Sequence, residues 1–348
     1  MLPKGRAPNR GQFFMKKHLS VFAGILFSVL FLYLALRGVD LRGLAGLYSG
    51  LSVSGVAPLV VLAVLDLVWR GVRWKLLLRP CRDIPSWQVI KFETIGFALN
   101  NVLPMRLGEL ARATLLARTY GMSLVTVLST IVVERILDTM ALSIVFMFSL
   151  RYAPVAPWVQ RYSGLVWVLI PVMLAGLLAL CRLESVLAYP RISAFLARHP
   201  RVHGILEKIA AGAGALKVPH YAAAICALSL CLWFMDASGF MFASRALGLL
   251  PLLAYGNGLF LLCATAVAVS VPSAPGYFGT YEYAVRMTME AWGYQGSSAM
   301  ALSGLVHMTT YIVFTVSGIV FLYQAGHSLK SMWHGLTGGG TADACKAS

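Results

Sequence analysis

Residues 98–118 read ALNNVLPMRLGELARATLLAR. An apolar run stops at Pro104, and Arg106, Glu109 and Arg112 follow three residues apart. Proline cannot donate the backbone bond that a continuing helix requires, but it is well tolerated in a first helical turn. The stretch therefore reads as a broken helix with a new half-helix starting near Pro104. Its free N–H groups and positive dipole end suit an anion. Residues three apart share a helix face, and the planar guanidinium fork matches a phosphate.

The surroundings decide what such a stripe can mean. The chain has 348 residues, 59% hydrophobic and only 12% charged, with a mean hydropathy of +0.75. That excludes an ordinary soluble domain and points to a polytopic membrane protein. The 29 Lys and Arg against 13 Asp and Glu cluster between apolar runs. They read as topology signals and contacts with anionic lipid, not as a nucleic-acid surface. The six cysteines form no CxxC or Cys/His cluster. Cys181, Cys226, Cys231 and Cys263 sit in or beside apolar runs and read as small packing residues.

A span needs roughly 20 apolar residues. Candidates lie at about 19–37, 55–74, 123–150, 164–181, 221–246 and 297–325. Two other apolar runs, 88–103 and 253–271, end at Pro104 and at Pro272 and Pro275, and an amphipathic stretch follows each. They fit either full spans or re-entrant hairpins. The connector 182–220 holds Arg182, Arg191, Arg198, Arg201, Lys208 and Lys217 against Glu184 and Glu207. Eight full spans put it outside; six spans with two hairpins put it inside, where basic loops belong. The expected fold is therefore all-α: a polytopic bundle with six spans and two re-entrant hairpins, and eight spans as the alternative. The basic tail 1–18 (Lys4, Arg6, Arg10, Lys16, Lys17) and the Gly-rich tail 327–348, read as disordered, are expected in the cytoplasm. A helix lying on the inner leaflet is expected within 183–219.

The chain also reads as two repeats, about 19–150 and 164–326 within a membrane domain 19–326. Pro104 and Gly108 match Pro275 and Gly279, Glu109 matches Glu282, Glu134 matches His307 and Asp66 matches Asp236, at offsets from 170 to 173. An odd number of spans per half would invert the second half, the plan of many transporters.

Four constellations could carry chemistry. Asn100, Asn101, Pro104, Arg106, Gly108, Glu109 and Arg112 form either a lipid-phosphate site, with Glu109 orienting the arginines, or a surface hairpin with snorkelling arginines. Glu134, Arg135 and Asp138 lie inside an apolar span, where ionisable groups are costly and rarely face lipid. An Arg135–Asp138 pair would leave Glu134 to bind a cation, take a proton or hold Arg106 or Arg112. In VPSAPGYFGTYEYAVRM, 271–287, Pro272, Pro275, Gly276 and Gly279 break the helix and form either an opposing gate or a plain loop. There Glu282 and Arg286 are expected to pair. The fourth is Asp66, Arg70 and Arg73 at the end of the second span, where Arg70 and Arg73 could funnel headgroups inward, or the arginines could anchor the cytoplasmic interface with Trp69 and Trp74. No phosphate-binding G-x-x-x-x-G-K-[ST] loop, metal-ligand spacing or catalytic set stands out, so no cofactor and no catalytic residue is expected.

The runs NNVLPMRLGELAR, VVERILD and PSAPGYFGTYE, in this order and separation, resemble the lysylphosphatidylglycerol synthase transmembrane region, also called the flippase-like domain, over roughly 18–326. The resemblance marks Asn101, Pro104, Arg106, Gly108, Glu109, Glu134, Arg135, Asp138, Pro275, Gly276, Gly279 and Glu282 as motif positions. It implies an inner-membrane translocase for an anionic phospholipid or polyprenyl-linked lipid, without a soluble synthase domain and with a separate lipid-modifying enzyme as a possible partner. A membrane enzyme acting on a lipid phosphate and a non-transporting scaffold are the rival readings.

Overall fold

The computed structural model describes residues 26–103, 106–270 and 274–326. The expected tails, the start of the first span, Pro104 and Pro272 lie outside the described residues. Every regular element among those residues is helical. In chain order they are α1 Leu26–Leu36, α2 Leu41–Ser49, α3 Val53–Leu78, α4 Ser86–Val102, α5 Leu107–Tyr120, α6 Leu124–Tyr152, α7 Pro157–Tyr162, α8 Val166–Leu187, α9 Pro190–Leu196, α10 Pro200–Ala211, α11 Pro219–Ala246, α12 Tyr255–Ser270, α13 Thr280–Ala291 and α14 Gly296–Gln324.

Local chemistry sets these limits. The Ser52 hydroxyl accepts from Gly55 N and starts α3. Gly121, at φ 62°, ends α5 in the left-handed conformation that glycine favours. Prolines stand in the first turns of α7, α9, α10 and α11, where their missing N–H is harmless.

Helix α3, the segment Val159–Leu187, α11 and α14 are long and apolar enough to cross a membrane. Helix α6 matches α14 at 29 residues but carries Glu134, Arg135 and Asp138 together. The other arms are short: α4 has 17 residues, α5 14, α12 16 and α13 12. At 1.5 Å per residue each is about 18–26 Å long, less than the ~30 Å hydrocarbon core.

Helices α3 and α11 run antiparallel. Gly55 lies against Ala246, Arg70 reaches Asp236, Arg73 reaches Ser229, and Arg79 lies over the Tyr221 ring. Helix α4 is antiparallel to α14 through Trp87–Phe321, Phe97–Phe314 and Asn101–Thr315. Helix α6 is likewise antiparallel to α12 through Tyr152–Gly256 and Phe146–Phe260. Gly318 and Gly256 let these pairs approach closely, because a Cβ on either would sit within 2.6 Å of the neighbouring helix.

Helix α5 folds back along α4: Gly96 packs on Arg112, and Phe92 meets Tyr120. Helix α13 folds back along α12, bringing Trp292 to Phe260. The two turns meet, since Arg106 Nη2 donates to the Val269 carbonyl at 2.7 Å and its guanidinium lies over the Tyr277 ring.

Helix α5 begins at Leu107, three residues after Pro104. Within the basic connector α8 continues to Leu187, and short α9 and α10 follow, with α10 packed on α6 and α8. One expectation changes. Cys226 and Cys231 face outward from α11 and do not pack, whereas Cys263 is buried.

Candidate functional site

Three ionisable residues on α3 sit at the depth where α3 meets α4, α6 and α11. Arg70 Nε donates to Asp66 at 2.8 and 2.9 Å, and Nη2 to Asp236 at 3.1 Å. Trp233 and Phe97 present their rings to its guanidinium. Arg73 Nη1 donates to Asp138 at 2.6 Å and to Ser229 at 3.1 Å, and Nη2 to Glu134 at 2.8 Å. Arg73 is wholly buried. Arg70 and Arg73, expected to funnel headgroups or to anchor the interface, are both buried: Asp66 and Asp236 hold Arg70, and Glu134 and Asp138 hold Arg73.

Glu134 is the centre of this network. One oxygen accepts from Arg73, the other from Arg112 Nη2 at 2.9 Å, so of the roles open to Glu134 in the sequence it takes that of holding Arg112. Arg112 also faces Glu93 and lies over the Trp74 indole, whose N–H donates to Thr130. Wholly buried Glu93 escaped the sequence reading. Its signal was a lone carboxylate inside the apolar run of α4.

The Arg106–Glu109–Arg112 stripe does not act as one face. Arg106 precedes α5 with φ 52° and turns to α12; Glu109 approaches Arg135 at 3.8 Å; Arg112 points inward. Asn100 Oδ1 accepts from Gly108 N at 2.8 Å, so the protein itself caps part of the α5 N-terminus that an anion was expected to use. Asn101 donates to Thr315 Oγ1 at 2.9 Å. A Cβ on Gly108 would lie 2.0 Å from the Gly96 carbonyl oxygen, so only glycine fits that approach.

Arg135 is different. Its side chain is 38% exposed, and its carboxylate neighbours Glu134, Asp138 and Glu109 lie at 3.5–3.8 Å. Among the described residues its Nε has no hydrogen-bond partner. Arg135 lines a cavity of about 410 Å³ between α3, α6, α11, α12 and α14, together with Asp66, Arg70, Arg106, Asp138 and Asp236. Leu59, Leu142, Phe240 and Leu262 form much of the apolar wall.

The second turn is built without a charge network. Pro275, Gly276 (φ 77°) and Tyr277 (φ 60°) make a tight turn, and Gly279 takes φ 91°. Glu282 Oε2 accepts from Gly279 N at 2.6 Å, and its Oε1 lies 2.6 Å from His307 Nδ1. His307 stacks on Tyr281 and packs against Phe278. The expected Glu282–Arg286 pair does not form. Arg286 instead binds Glu290 at 2.7 Å and the carbonyls of Leu34, Ala35 and Arg37, tying α13 to the end of α1. Among the described residues no three His, Cys, Asp or Glu groups are placed to hold a metal ion.

The family model described as the lysylphosphatidylglycerol synthase TM region matches residues 21–318, which include every residue of the network and both turns. The chain belongs to this family. No curated protein and no solved structure matches it. Together with four helices able to cross a membrane, membership of the lysylphosphatidylglycerol synthase TM family makes the chain an integral membrane protein related to lipid handling.

Proposed function

We propose that the protein is a lipid translocase that moves a phosphate-bearing lipid between leaflets by way of the cavity at Arg135. The observation that carries this reading is Arg135 itself: a guanidinium facing a cavity beside neutralised arginines, with donors still to satisfy. A bare phosphate in hydrocarbon is very costly, and charge-assisted bonds to a fixed guanidinium offset that. The apolar cavity wall suits the acyl or prenyl part next to the headgroup.

The short arms α4/α5 and α12/α13 support two re-entrant hairpins rather than eight full spans. Their meeting turns, with the antiparallel α3/α11 crossing of matched residues, support an inverted repeat. One end of the bundle carries Arg79, Arg82, Arg118, Arg198, Arg201 and Lys208. Basic loops favour the cytoplasm, so this end faces inward in a plasma-membrane orientation with both termini inside.

The test is transbilayer movement of head-labelled phosphatidylglycerol in vesicles containing the purified protein. Arg135→Ala should slow movement about 10–100-fold, the worth of one or two hydrogen bonds to a charge, with helix content unchanged. Wild-type vesicles no faster than empty ones would remove the reading. For topology, a cysteine at Arg198 should react with an impermeant thiol reagent only from the cytoplasmic side; labelling from outside would defeat the hairpin arrangement.

A further inference from the structure

At the α3–α11 crossing, one guanidinium serves two carboxyl groups. Arg70 holds Asp66 through Nε and Asp236 through Nη2. The other cations nearby are directed elsewhere. Arg73 is committed to Glu134 and Asp138, Arg135 lies nearest Glu134, Asp138 and Glu109, and Arg106 donates to the Val269 carbonyl. Helix α13 contributes the neutral phenol of Tyr281 to the same wall, and α12 and α14 contribute Thr265 and Thr309. The crossing therefore carries one negative charge more than its arginine balances, in a place where an uncompensated charge is expensive. Asp138 lines the same cavity, and its buried Oδ2 makes no hydrogen bond, with Arg135 3.5 Å away.

We infer that Asp66 and Asp236 form a proton-binding pair that couples proton uptake to the motion of the two halves. A metal ion is the poorer occupant, because the Arg70 guanidinium already fills the position between the carboxylates that a cation would take. A proton needs no such room. With the proton bound, Arg70 is balanced by one carboxylate and its tie to the other helix is weak. When the proton leaves, both carboxylates are charged and the guanidinium clamps α3 to α11. The matched positions of Asp66 and Asp236 put this clamp where the two halves cross. The coupling half of the inference rests on the translocase reading; the proton half does not.

Infrared spectra of the full chain in vesicles of phosphatidylcholine and phosphatidylglycerol test the proton directly. Wild-type protein should show the carbonyl stretch of a protonated carboxyl group at neutral pH, fading as pH rises. Asp236→Asn and Asp66→Asn should each lose it, since either leaves one carboxylate for one arginine, while circular dichroism confirms the helices. Absence of the band in wild type, or its survival in both variants, would overturn the proton site whether or not lipid moves. In the same vesicles an imposed pH gradient should change wild-type movement of labelled phosphatidylglycerol about tenfold and leave both variants unresponsive. A band without a gradient response would overturn the coupling alone. Acceleration by sodium over potassium at constant pH would overturn the choice of proton.

Discussion

The two turns at the middle of the molecule share one backbone feature and differ in chemistry. Arg106 (φ 52°) and Tyr277 (φ 60°) are the positive-φ residues other than glycine among the described residues, and they stand at matching places after Pro104 and Pro275. In each half the returning arm then reaches the last long helix: Arg112 to Glu134 in the first, Glu282 to His307 in the second. The first contact belongs to a buried web of arginines and carboxylates. The second is a single pair packed among Tyr281, Phe278 and Tyr311. A left-handed residue thus stands in two different surroundings, with charge concentrated behind the first turn and aromatic surface behind the second.

The comparison predicts unequal responses to matched substitutions. Glu134→Ala leaves Arg73 and Arg112 buried and short of a partner. Breaking a buried pair in this way costs about 3–5 kcal/mol, so thermal unfolding in detergent should show a severe loss or no folded protein. A melting point close to wild type would mean that the web is not what holds α3, α5 and α6 together. Gly108→Ala should come next. The new methyl meets the Gly96 carbonyl and Asn100, and overpacking of this kind costs roughly 1–3 kcal/mol. The α4/α5 arms should loosen, read as faster amide exchange across them. Unchanged protection would show that the arms do not depend on that approach.

What was legible in the sequence follows from distance along the chain. The apolar runs located the long helices, with ends up to six residues off, because burial against lipid acts on each segment separately. The turn at Pro275, Gly276 and Gly279 was legible for the same reason, since turn chemistry is local. The web was not: Arg73 finds Glu134, and Arg70 finds Asp236, across register choices that no spacing rule reaches. The i, i+4 rule even misdirected at Glu282, where capping Gly279 and binding His307 outcompeted Arg286. Glu134 was read as a group that could take a proton, while Asp66 was grouped with Arg70 and Arg73 and Asp236 was noticed as its repeat partner.

His307→Gln is the counterpart of Glu134→Ala and should be much milder. A glutamine can still hydrogen-bond Glu282, and no cation is stranded. The expected loss is about 0.5–1.5 kcal/mol, from the ring packing on Tyr281 and Phe278, again read by thermal unfolding. A loss as large as that of Glu134→Ala would erase the contrast between the halves.

The smallest effect on stability, and the sharpest test of the comparison, lies at Arg106. A left-handed arginine is strained, and glycine there would relieve roughly 1 kcal/mol or more. Against this, Arg106→Gly removes the bond to the Val269 carbonyl and the contact with the Tyr277 ring, both half in the open cavity. The two terms nearly cancel, so the melting point should stay level or rise slightly. Lipid movement should nevertheless fall severalfold, because the link between the two turns and one of the cavity's cations are lost together. Arg106→Tyr should keep the strain, make the first turn resemble the second, and lose the movement to the same extent. If Arg106→Gly instead moved lipid as well as the wild type, the strained conformation would serve packing alone, and the first turn's charge would have no more to do with the lipid than the second turn's ring.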